Sequence, residues 1–153
     1  MKAVYTLRCA DIKDISPIKE LLQACDLPVV GIEKQPSDFI IAEAQGNILG
    51  ILGAVYDGNK ALLRSFAVCE KKRGNGIGIA LVKAMFNIMK SKEIIEIFLL
   101  TETAAAYFVK LEFSEISRGD IPKILLVESG LDQACPCASS CFSYKLVNEC
   151  KGE

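Results

Sequence analysis

FAVCEKKRGNGIGIALVKAMF, residues 66–86, runs from a strand-like apolar segment through a cluster of charge into three alternate glycines, Gly74, Gly76 and Gly78, and then into a helix. Ile77, Leu81, Ala84, Met85 and Ile88 form one apolar stripe from about residue 76 to 91, with Lys83, Asn87 and Lys90 facing away. A phosphate loop of the GxxxxGK[ST] kind is excluded, because no Lys-Ser or Lys-Thr follows the glycines. A GxGxxG dinucleotide fingerprint is excluded too, since its last position falls on Ile79 or Leu81. What remains is Arg73-x-x-Gly76-x-Gly78 at a strand-to-helix passage. The first amides of a helix have no intrahelical acceptor and sit at the positive end of its dipole, so they form an anion site that glycines leave open to close approach. Each such bond to a charged group contributes roughly 1.5–3 kcal/mol. Three alternate glycines serving only as a flexible helix start would be entropically costly.

Working outward, residues 4–8, 39–44, 47–56, 61–68, 96–100, 113–117 and 141–147 read as strands, with turns at Gln45-Gly46-Asn47 and Asp57-Gly58-Asn59. Helices are expected over Asp11–Cys25, with Ile15, Ile18, Leu21 and Leu22 on one face, over 104–111, and in part over 121–133. No internal repeat, low-complexity tract or linker is visible, and this alternation of types predicts one mixed α/β sheet in a single domain over residues 1–153.

Composition sets the outer limits. The chain has 153 residues, 51% of them hydrophobic and 24% charged, enough for a globular core that buries about 70% of the unfolded surface. The first residues lack the apolar core of a signal peptide, and no run is long enough to span a bilayer, which predicts a soluble cytoplasmic protein with no membrane partner. A net charge of −1 gives no field for nucleic acid, so the basic run Lys71-Lys72-Arg73 points to a small anionic partner. Seven cysteines are expected as reduced thiols. The absence of histidine excludes Ser-His-Asp and Cys-His catalysis and the common histidine zinc sites; no metal is expected.

Arg73, Gly76 and Gly78, preceded by Phe66-Ala67-Val68, resemble the [QR]xxGx[GA] motif of the GCN5-related N-acetyltransferases (GNAT). The resemblance implies a GNAT-like α/β (α+β) fold, a mostly antiparallel sheet of six to seven strands flanked by helices, and acetyl-CoA as acetyl donor. It implies that the strand edge at Phe66, Ala67 and Val68 binds the pantetheine arm, and that amides of Gly74, Asn75, Gly76, Ile77, Gly78 and Ile79, with Arg73, hold the pyrophosphate. AAAYFVKLEF, residues 104–113, is similar to the family's AxxFYxKxGF segment beside the cofactor thiol. Phe108 takes the place of its usual tyrosine and Glu112 that of its glycine; adjacent helical side chains point about 100° apart, so Tyr107 does not simply stand in. ALLRSFAV (61–68), LLTETAAAYFVKLEF (99–113), Ile121-Pro122 and CPCASSC (135–141) resemble acetyltransferases of arsenic-resistance operons, where phenylalanine also fills the tyrosine position.

Acetyl transfer to an amine needs a neutral amine, a polarised carbonyl and a protonated leaving thiolate. The amide near Val68 is expected to polarise the carbonyl. Without histidine, the amine proton falls to a carboxylate, a water chain or solvent; Glu102 and Glu43 are the nearest carboxylates, each also readable as a solvated surface group. Tyr107 and Cys135 are the candidate proton donors. Arg64 lies inside an apolar strand and must reach a carboxylate, an anionic ligand or water: the acceptor's carboxylate or oxyanion, or Glu43 in a structural pair. Cys135, Cys137 and Cys141 form a thiol cluster readable as a metalloid site or as free thiols. The expected activity is N-acetylation of a small primary amine, amino-acid-like or an arsenical analogue. The rival readings are a non-catalytic acyl-CoA sensor and a thiol-based metalloid binder. An exposed last strand would pair with a second copy and make a homodimer.

Overall fold

The computed structural model describes residues 4–134 and 139–146. Its contacts group the chain into two units, residues 1–54 with 65–87, and residues 55–64 with 88–153.

In the first unit, β1 (Thr6–Cys9) pairs antiparallel with β2 (Phe39–Ala44), from Thr6 opposite Glu43 to Cys9 opposite Ile40. A two-residue turn, Gln45-Gly46, joins β2 to β3 (Asn47–Asp57); both residues have positive φ, +54° and +81°, the handedness that matches the strand twist. The β2–β3 register shifts between Ala42 and Glu43, leaving Leu49 as the extra residue of a bulge. Asp11 and Asp14 cap a 3-10 turn over Ile12–Asp14, and α1 (Ile15–Ala24) follows where a single helix from Asp11 was expected. Its Ile18 and Leu22, four apart and fully buried, pack with Phe39, Ile41, Ile51 and Ala67, the last from β4 (Lys60–Val68). A Cβ at Gly53 would run into the Phe39 ring, which is why this strand position carries none. The helix α2 (Ile77–Ser91) begins in this unit.

The second unit holds β5 (Glu96–Thr101), α3 (Ala105–Lys110), β6 (Ser114–Ile116), α4 (Lys123–Ser129), α5 (Leu131–Ala134) and β7 (Ser140–Lys145). Lys60–Leu62 of β4 pair parallel with Glu96–Phe98 of β5. Leu62, Phe98, Ile121, Leu125, Leu126, Leu131 and Cys141 make its core.

The strand order is β1-β2-β3-β4-β5-β7-β6, a mixed, mostly antiparallel sheet of seven strands. One expectation is corrected. The last strand is not an edge: the chain returns through α4 and α5, and β7 enters antiparallel between β5 and β6, its backbone engaged on both sides. The edges are β1 and β6.

The end of α3 answers the question raised by Glu112. The Phe113 amide donates to the Phe108 carbonyl (3.0 Å), the Glu112 amide to the Val109 carbonyl (3.0 Å), and Glu112 takes φ +73°, the left-handed position usually given to glycine. The Phe108 and Phe113 rings, 5.4 Å apart, supply the apolar contact that closes this motif. Glutamate there carries a steric cost that glycine avoids. Glu112→Gly is expected to stabilise the fold by about 1 kcal/mol, a rise of about 3 °C in unfolding midpoint. A calorimetric scan showing a fall in midpoint would contradict this.

Candidate functional site

The glycine loop is built from the end of β4 outward. The Cys69 amide donates to the Leu49 carbonyl at 2.7 Å, fastening the end of β4 to the bulge residue of β3. A 3-10 turn over Glu70–Lys72 follows, Arg73 is extended, and Gly74 and Gly76 take φ of +86° and +81°. A Cβ on either glycine would meet nothing within 4 Å, so the requirement is for backbone handedness, and the space above both is open. The helix's first bond runs from the Ala80 amide to the Gly76 carbonyl at 3.1 Å. The amides of Ile77, Gly78 and Ile79 therefore precede the helix's own ladder, and Gly76 has no side chain with which to cap them.

This helix start is firmly seated. Ile77 is 1% exposed, and an added Cβ on Gly50 would lie 3.0 Å from the Ile77 side chain, 3.1 Å from Leu81 and 3.3 Å from the Ala67 carbonyl. Gly50 thus lets α2 and β4 close onto β3. Asn75 Nδ2 donates to the Lys72 carbonyl (3.1 Å), and Arg73 Nε to the Val68 carbonyl (3.0 Å), while Arg73 Nη2 reaches Cys25 Sγ at 3.7 Å. Arg73 is therefore a tether between the loop and the strand end as well as a cation beside the helix start. Because the Cys69 amide and the Ala67 carbonyl face β3, strand alternation turns the Val68 amide toward the opposite edge.

Within β4, Ser65 has φ of +60°, a left-handed residue in the interior of a strand. Sequence reading missed it, since serine gives no signal of the kind glycine does. Arg64 is 5% exposed, and its Nη1 donates to the Ser129 carbonyl at the end of α4 at 2.8 Å.

Glu43 finds a different partner from the one sequence suggested. It accepts from Arg8 Nε, and the same guanidinium holds Asp14 through two bonds of 2.9 Å. Arg8 sits near Glu43 because β1 and β2 place it two positions along the ladder, a pairing no sequence spacing reveals.

The remaining candidates lie in the second unit. Glu102 is exposed just after β5, where Thr101 Oγ1 accepts from the Ala104 amide. Phe108 is buried and stands edge-on to Tyr107 (5.3 Å), and burial pushes the Tyr107 phenol above its usual range. Cys135 and Cys137 lie outside the described residues. Cys141 is buried, and burial raises its thiol pKa, which disfavours the thiolate. Cys9, Cys25, Cys69 and Cys141 are free thiols. Among the described residues no group of three or more acidic or cysteine side chains is placed to hold a metal, and no helix is long and apolar enough to cross a membrane.

Residues 35–115 match the family model of the acetyltransferase (GNAT) domain. The chain belongs to the GNAT acetyltransferase family. It is 30% identical over 149 residues to an uncharacterised N-acetyltransferase of Chlorobaculum tepidum, covering 94% of each chain. An N-acetylglutamate synthase of Neisseria gonorrhoeae, solved with coenzyme A and N-acetyl-glutamate, superposes with a TM-score of 0.82 at 19% identity; the match covers 97% of this chain but 36% of the synthase chain. A Mycobacterium tuberculosis protein solved with CoA superposes with a TM-score of 0.75 at 20% identity, covering 93% of this chain and 99% of the other. GNAT membership makes this chain an acyltransferase, and these likenesses show a shared fold.

In this GNAT chain the Arg8 guanidinium holds the Asp14 carboxyl below the usual carboxylate range. The stabilisation is present above about pH 4 and is lost as pH falls through the lowered pKa. Asp14→Asn should cost about 2 kcal/mol at pH 7, and the gap to wild type should narrow as pH falls below the ordinary carboxylate range, about pH 4. Denaturant titrations showing the same gap above and below that range would refute the linkage.

Proposed function

We propose that this chain transfers the acetyl group of acetyl-CoA to a primary amine of a small, amino-acid-like molecule. The observation that carries the reading is the loop after β4. Three uncapped first-turn amides, two left-handed glycines under open space, and the basic residues Lys71, Lys72 and Arg73 suit a linked pair of phosphates. The donor set fits the group: amides of Gly74 to Ile79 would hold the pyrophosphate, with Arg73 supplying positive charge while it keeps the loop against Val68. Acetyl-CoA, when bound, supplies an acetyl thioester.

Phe66, Ala67 and Val68 offer a strand edge for an extended pantetheine arm, and the Val68 amide, turned away from β3, suits an acyl oxygen that gains charge. Glu102, exposed, is the carboxylate proposed to accept the amine proton through water. Tyr107 is the proposed proton donor: a phenol is protonated at neutral pH in any case, and burial raises its pKa further. Glu43 remains a weaker substrate contact, since Arg8 already engages it. Phe108, given to the cofactor by the sequence resemblance, is buried and carries no hydroxyl. The amino-acid-like acceptor draws support from the complex of the Neisseria synthase with N-acetyl-glutamate. The narrower reading toward an arsenical amino acid rests on the sequence phrases alone.

Calorimetry of the wild type with acetyl-CoA should give a saturable heat, and Gly76→Val should weaken that binding at least tenfold, as a β-branched side chain at φ +81° distorts the amides. Release of free CoA thiol with a panel of amines, arsenical amino acids included, should single out an acceptor. No heat from acetyl-CoA would overturn the reading. Binding without release for any amine would favour the acyl-CoA sensor instead.

A further inference from the structure

The strained residue of β4 and its buried charge are sequence neighbours, and neither is explained by the glycine loop. Ser65 holds φ +60° inside a strand, at a cost of about 1–3 kcal/mol that persists only where the surroundings enforce it. On its C-terminal side the strand is fixed: Ala67 is in the core with Ile18, Phe39 and Ile51, and Cys69 is bonded to Leu49. On its N-terminal side stands Arg64, 5% exposed, with Nη1 2.8 Å from the Ser129 carbonyl.

That carbonyl belongs to a stiff turn. Ser129 is 1% exposed, its hydroxyl donates to the Leu126 carbonyl at 3.1 Å, and its Oγ accepts from the Leu131 amide at 3.2 Å. Gly130 follows at φ +77° and ends α4, so the carbonyl gripped by Arg64 is one of the helix's last, at the negative end of its dipole. A charged hydrogen bond of this kind is among the stronger single restraints available to a strand.

We infer that Arg64 is a positioning residue: by tying β4 to the end of α4 immediately before Ser65, it enforces the left-handed turn that sets the direction of the amides from Phe66 to Val68. It acts through Ser65 and has no contact with substrate in this role. The inference rests on the proposed function for its catalytic consequence but not for its structural one. It also replaces the alternative in which Arg64 meets an acceptor carboxylate.

Two measurements test it. The first is a thermal cycle of Ser65→Gly, Arg64→Met and the double variant. Glycine relieves the left-handed strain, so Ser65→Gly should raise the wild-type midpoint by about 3 °C. In the Arg64→Met background the restraint from Ser129 is gone, and the same change should give under about 1 °C. Arg64→Met alone is uninformative about stability, because an apolar replacement of a buried charge goes either way; only the coupling is read. Equal shifts in both backgrounds overturn the inference. Should Arg64→Met not fold, Arg64→Lys, which keeps a donor, takes its place and should give an intermediate coupling; equal shifts there overturn it as well.

The second is CoA-thiol release from acetyl-CoA with water as acceptor. Arg64→Met should lower kcat about tenfold, with a smaller rise in the acetyl-CoA KM, and Arg64→Lys should recover part of the loss. A loss confined to KM, or none, overturns the positioning role. Wild-type protein with no release above the uncatalysed rate would overturn the catalytic consequence and count against the proposed function, while the thermal cycle still decides the structural claim.

Discussion

Two residues held at positive φ without a Cβ, Gly74 and Gly76, are the constraint on which the rest depends. Any larger side chain would have to adopt a backbone conformation that L-residues avoid, at about 1–2 kcal/mol each. Accepting glycine there costs chain entropy, and the return is a helix start whose first amides are bare. The remainder of the first unit can be understood as keeping that turn in place. Ile77 is sunk into the core, Gly50 removes the side chain that would hold α2 off β3, and Arg73 and Asn75 bind the loop back to β4 and to itself.

A strand that ends in such a loop must deliver its last residues in a defined orientation. Within β4, Ser65 takes φ of +60°, and the contacts on either side of it differ in kind. Before it, a buried guanidinium holds the end of a helix; after it, apolar packing and a 2.7 Å backbone bond take over. Strain of this sort is stored where function uses a fixed backbone. The aromatic pair Phe108 and Phe113 plays a comparable part at the end of α3, where it supports a glutamate in glycine's usual conformation.

Much of this was legible in the sequence, for identifiable reasons. The stripe of α2 and the alternation of the strands are periodic signals, and the structure places those elements within a few residues of expectation. The glycines were readable because only glycine is cheap at positive φ. Ser65 was not, since serine at positive φ leaves no mark in composition; Glu112 was marked only by the family resemblance, as the residue at a glycine position. The partner of Glu43 depended on β1–β2 register, which brings in Arg8 from far along the chain. The place of β7 inside the sheet depended on the return path through α4 and α5, which no local pattern encodes.

Exposed amides at the start of α2 are proposed to grip the phosphates of acetyl-CoA. The most direct measurement is an amide proton–nitrogen NMR titration with acetyl-CoA. Saturable shifts are expected, largest at Gly74 to Ile79, with a further change at Val68. Saturable binding that leaves the amides of that loop unmoved would contradict this.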